Sequence, residues 1–166
     1  MSRYPSSVLG LAIATIIFAM GFILHELAHK YVAQRYGLWA EFRVNTMGVI
    51  ITALSIVARF GIIAPGAVVI SGFADKDRVG LTAVAGPIVN LIITFVVLAG
   101  LNAIPSSSFL YAPIVGGAAI NAFLALFNLI PVAILDGKKV YAWNKKYWAA
   151  MFAIALVLTV YTYIIL

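Results

Sequence analysis

The chain contains no cysteine, which excludes disulfide frameworks and thiolate metal sites. Charge is scarce. Asp, Glu, Lys and Arg make up 10% of the 166 residues, against about a quarter in a soluble domain. Acids are scarcest, with 5 carboxylates against 11 basic residues. There is no internal repeat and no low-complexity linker, and the length leaves no room for an appended soluble module. What fills the chain is apolar: 64% hydrophobic residues and a mean hydropathy of +1.10. That composition describes an all-α polytopic membrane protein with a single domain over 1–166. In a soluble protein the net charge of +6 would raise nucleic acid as a partner. Here the basic residues flank apolar runs, so they read as topology signals and headgroup contacts, and the lipid bilayer is the expected partner.

Four stretches are long enough to span a bilayer, which takes about 20 apolar residues. They are approximately 7–34, 80–101, 110–131 and 146–166. The first follows Arg3 but is longer than a signal-peptide core of about 7–15 residues, lacks a clean small-residue cleavage site, and is expected to be retained. A fifth apolar stretch, 47–72, is interrupted by Arg59 and broken by Gly61, Pro65 and Gly66. Its flanks near 40–45 and 67–72 are rich in β-branched residues and predict short strands. Charge arbitrates. If 47–72 does not cross, then Lys30, Arg35, Arg43, Lys76, Arg78, Lys138, Lys139, Lys145 and Lys146 share one side, and Arg3 alone lies on the other. This positive-inside pattern places 40–76 as a re-entrant or amphipathic segment on the cytoplasmic side of a multi-pass cell-membrane protein.

Inside the first apolar run stands HELAH, residues 25–29. His25 and His29, the only histidines in the chain, are four apart and so point about 40° apart on one helical face. Two imidazoles at that spacing can hold one metal ion. Glu26 between them can reach a metal-bound water as a general base. The ordinary alternative is two buried histidines making helix contacts. Against it stands the cost of three ionisable groups in an apolar segment, which usually marks function.

A catalytic zinc commonly takes three protein ligands, so a third must come from elsewhere. Glu41, Asp75 and Asp77 sit among Arg43, Lys76 and Arg78, where surface pairing is the default. Asp136 differs. It closes "LFNLIPVAILD" at the cytoplasmic end of the third span, the same depth as HELAH. Its alternative is a turn Asp before Gly137. Gly86 and Asn90 share a face of the second span. Close packing against the HELAH helix accounts for Gly86 without chemistry. Asn121 and Asn128 share a face of the third span, where interhelical hydrogen bonding is the default for both. "WNKKYW" (143–148) reads as an interfacial anchor.

HELAH on a membrane helix, followed by "AGPIVN" (85–90) and "FNLIPVAILDG" (127–137), resembles the site-2 protease family of intramembrane zinc metalloproteases, over about residues 7–148. The resemblance implies one zinc ion held by His25, His29 and Asp136, with Glu26 as catalytic base. It also implies that Asn128 holds substrate or the oxyanion, and that Asn90, in an element packed near the site, is a candidate outer partner. Family members often carry a second loop proline where this chain has Ala133. The implied activity is cleavage of a membrane-spanning segment of a protein substrate, with strand addition as a route for binding it. Two other readings stay open: a non-proteolytic zinc-binding scaffold or chaperone, and an ion or metal transporter. The intact Glu26 argues against the first. The absence of a repeat, and of ligands strung across the membrane, argues against the second. The sequence leaves the oligomeric state open.

Overall fold

A computed structural model describes residues 8–44, 66–132 and 134–166. Helix α1 (Val8–Arg35) is followed by strands β1 (Trp39–Val44) and β2 (Gly66–Ser71). Helices α2 (Lys76–Gly100), α3 (Tyr111–Asn128), α4 (Asp136–Trp143) and α5 (Lys145–Ile165) complete the chain. Four of these helices, all but α4, are long and apolar enough to cross a membrane, and they make this a multi-pass membrane protein.

The expected spans are all present, with shifted ends. α2 begins at Lys76 rather than 80 because Asp75 caps it, its carboxylate accepting the Arg78 N–H at 2.8 Å. α3 stops at Asn128 rather than 131, since Pro131 disfavours helical geometry in the residue before it. α4 was not expected as a helix. Asp136 sits in its first turn, where a carboxylate is favoured, and buried Val140 fixes it against Ala83 and Val84 of α2. Asp136 therefore opens a short separate helix instead of ending the third span.

The predicted strands lie at 39–44 and 66–71 and pair antiparallel, with Phe42 opposite Val68. Arg59 and most of the stretch 47–72 lie outside the described residues, as does Ala133. α1 hands over to β1 through a Schellman turn. Gly37 takes a φ of 75°, its N–H bonds Gln34 O, and the Leu38 N–H bonds Ala33 O. Ala33, Leu38 and Ala40 then pack together and hold the small sheet against the polar end of α1.

Helix contacts run through small residues. Ala83, Ala85 and Gly86 of α2 and Gly117, Ala118, Ala122 and Ala125 of α3 are buried, and they let backbones approach closely where lipid gives no hydrophobic drive. Larger apolar side chains such as Ile92, Phe95 and Val157 face outward. The 143–148 segment does more than anchor. The Trp143 indole N–H donates to Asp77 at 2.8 Å, and that of Trp148 donates to Leu129 O at 2.7 Å. The second bond fixes the start of the loop that carries Asp136.

Candidate metal centre

α1 carries His25 and His29 on the face that meets α2, and both rings are buried. The α3–α4 loop returns Asp136 to the same point. Gly137 makes this possible: a Cβ there would strike the Leu129 carbonyl backbone, so only glycine lets α4 start so close to the end of α3. The three ligand atoms form a near-equilateral triangle. His29 Nε2 lies 3.1 Å from His25 Nε2 and 3.0 Å from Asp136 Oδ2, and His25 Nε2 lies 3.4 Å from that oxygen. Bonds of about 2.0–2.1 Å to a tetrahedral zinc place ligand atoms about 3.3 Å apart. The spacing and the donor set, two imidazoles and one carboxylate, therefore fit a zinc ion with a fourth position to spare.

The outer contacts turn both rings the right way. His29 Nδ1–H donates to Thr82 O at 2.7 Å, and His25 Nδ1–H donates to Asn90 Oδ1 at 2.5 Å. Each ring so pinned leaves its Nε2 lone pair pointing into the triangle, the usual arrangement of a metal-binding histidine. Burial pushes the Asp136 carboxyl up; with no ion bound, a proton on either facing Nε2 would donate to it and hold it below the usual carboxylate range.

Two curated proteins are similar to the chain over most of its length. One is Putative zinc metalloprotease MJ0611 of Methanocaldococcus jannaschii, 40% identical over 149 residues, which cover 88% of this chain and 78% of that one. The other is Putative zinc metalloprotease YwhC of Bacillus subtilis, 32% identical over 159 residues, or 82% and 70% of the two chains. The chain belongs to this zinc metalloprotease family. No family model matches it, and no solved structure does.

A protease of this family needs room for a peptide beside its metal. A cavity of about 670 Å³ opens on the triangle, lined also by Glu26, Asn128 and Val68. Glu26 is half-buried, and its Oε2 accepts the Val68 backbone N–H at 2.8 Å. One Asn128 amide hydrogen is spent on Leu124 O at 3.0 Å, and the second is left for the cavity. The structure thus brings His25, His29 and Asp136 together and places Glu26 and Asn128 on the same cavity wall. Two contributors escaped sequence reasoning, the Thr82 carbonyl and the Val68 N–H. Both are backbone groups, and side-chain chemistry gives no signal for them.

Gly86 is closer to the chemistry than its small size suggests. A Cβ there would lie 2.6 Å from His25 Nε2 and closer still to His29 Nε2. Gly86→Ala would fill the space between the imidazoles. Overpacking of this kind costs about 1–3 kcal/mol, so zinc affinity should fall by about tenfold or more with the fold retained. Chelator competition on the purified variant measures this, and wild-type affinity would contradict it.

Proposed function

We propose that this chain is an intramembrane zinc endopeptidase of the site-2 protease type, cutting within a membrane-spanning segment of another protein. The observation that carries the reading is the zinc-sized triangle of His25, His29 and Asp136, with Glu26 on the wall of a peptide-sized cavity, His25, Glu26 and His29 lying on a membrane-spanning helix and Asp136 on the short helix packed against α2. His25, His29 and Asp136 hold the ion. Zinc supplies Lewis acidity that activates a water and polarises the scissile carbonyl. Glu26 takes the water proton onto its carboxylate and delivers it to the departing amine nitrogen. The free Asn128 amide hydrogen donates to the carbonyl oxygen as negative charge builds there. Burial of the site in protein strengthens each of these interactions by excluding bulk water.

A helical substrate hides its peptide bonds and must unwind to be cut. β2 offers the unwound strand a partner. Its Val68 N–H points away from β1, and the alternation of an antiparallel ladder sends the polar groups of Gly66 and Ile70 the same way, along the cavity. A substrate strand adding there takes the Val68 N–H from Glu26 and frees the carboxylate for proton transfer. Val68→Pro removes this N–H without touching the bonds to β1, a position where edge strands tolerate proline. The expected result is a three- to tenfold lower kcat/KM, about the worth of one hydrogen bond, with unchanged zinc content. Unchanged kinetics would remove β2 from substrate binding.

The positive-inside charge pattern supports a site toward the cytoplasmic side of the cell membrane. The direct test of the activity is reconstitution with a panel of single-span membrane proteins, with and without a chelator. Cleavage that stops on chelation and returns with zinc supports the proposal. Stoichiometric zinc with no cleavage of any panel member would favour a non-proteolytic zinc-binding scaffold.

A further inference from the structure

The two histidines are oriented by unlike partners. His29 Nδ1 faces the Thr82 carbonyl, which can only accept, so that ring has one option. His25 Nδ1 faces the Asn90 side chain, which has an accepting end and a donating end. Were Asn90 reversed, its NH₂ would meet Nδ1. The ring hydrogen would then sit on Nε2, the atom that has to face the metal. Something must hold Asn90 one way round.

The groups behind it do so. Asn90 Nδ2 donates to Asn121 Oδ1 at 2.9 Å and to the Gly21 carbonyl at 3.2 Å. Asn121 is itself an amide with two ends. Its Nδ2 donates to two backbone carbonyls, Gly117 O at 2.9 Å and Ile17 O at 3.5 Å. Carbonyls cannot donate, so they fix Asn121 with its oxygen toward Asn90. Asn121 in turn fixes Asn90 with its oxygen toward His25. Both asparagines are fully buried, where no water can substitute for a lost partner. Gly21 completes the arrangement, because a Cβ there would overlap the Asn121 amide.

We infer that Asn121 is a positioning residue of the metal centre, acting through Asn90 to keep the His25 Nε2 lone pair turned toward the ion. The inference rests on the reading of His25 as a zinc ligand. It extends the centre across three helices, from the backbone of α1 and α3 through α2 and back to α1. Ordinary interhelical bonding would predict a loss of stability only. The relay predicts a loss of metal affinity that depends on Asn90.

The experiment is a double-mutant cycle read by zinc affinity, with the absorption spectrum of the cobalt-substituted protein as a second readout. Asn90→Leu should weaken zinc binding by about 10–100-fold, the range for an outer partner of a ligating histidine, and Asn121→Leu by about tenfold, at its low end. The double variant should bind zinc no more weakly than Asn90→Leu alone, since Asn121 has nothing left to orient. Both single variants should change the cobalt spectrum. Thr94→Val, which removes a hydroxyl bonded to the main-chain oxygens of Asn90 and Ala118 but not to the Asn90 side chain, should leave affinity and spectrum unchanged. Asn121→Ala repeats the measurement if the leucine variant does not fold. Wild-type affinity in a folded Asn121 variant overturns the inference, as do additive losses in the double variant. A wild-type protein that binds no zinc overturns the ligand reading itself, and the inference with it.

Discussion

Glu26→Gln is expected to lower the turnover of peptide cleavage by about 10²–10⁴-fold, the usual contribution of a general acid–base group, while one zinc remains bound per chain. The variant is nearly isosteric. The glutamine carbonyl can still accept the Val68 N–H, so β2 stays docked on α1. Both histidines and Asp136 are untouched, so the metal triangle is kept. What disappears is the capacity to take a proton from water and return it to the leaving amine. Metal analysis beside a single-turnover assay separates the two effects. Loss of zinc together with activity would mean that Glu26 holds the site together instead of moving protons. A near-wild-type rate would mean that another group is the base.

Asp136→Ala is expected to strip the zinc. Two imidazoles four residues apart on one helix cannot close a tetrahedral site, and the loss should exceed the 10–100-fold typical of outer-partner changes. The charge matters as well as the geometry. A bound cation would keep the Asp136 carboxylate ionised, and Lys139 Nζ approaches its other oxygen at 3.9 Å. Asp136→Asn keeps the shape and removes the charge, so its zinc affinity should fall between wild type and the alanine variant. Equal zinc content in wild type and Asp136→Ala would take this residue out of the site.

The fold class was legible in the sequence: the four spans and the two short strands between the first two are present. His25, Glu26 and His29 are legible because helical spacing is fixed and because polar residues are costly in an apolar run. Asp136 was reachable because charge counting put it at the depth of HELAH, and the structure brings it within 3.4 Å of both imidazoles. The helix it opens was not legible. α4 depends on Val140 packing against α2, a tertiary contact that an eight-residue segment does not announce. The strands were readable from β-branched residues to within one position. Their link to Glu26 was not, because it runs through a main-chain N–H. Asn121 shows the same limit in another form. Its type and depth were plain, but that its amide is aimed by two carbonyls of other turns appears only when α1, α2 and α3 are assembled.

The central claim is that the cut falls inside the membrane-spanning stretch of the substrate. The most direct measurement is mass spectrometry of both product termini after cleavage of a single-span protein in proteoliposomes by wild type, with Glu26→Gln as the blank. The account predicts new termini within the substrate's apolar span, absent from the Glu26→Gln reaction and from chelator-treated wild type. Termini found only in the flanking soluble segments would contradict it.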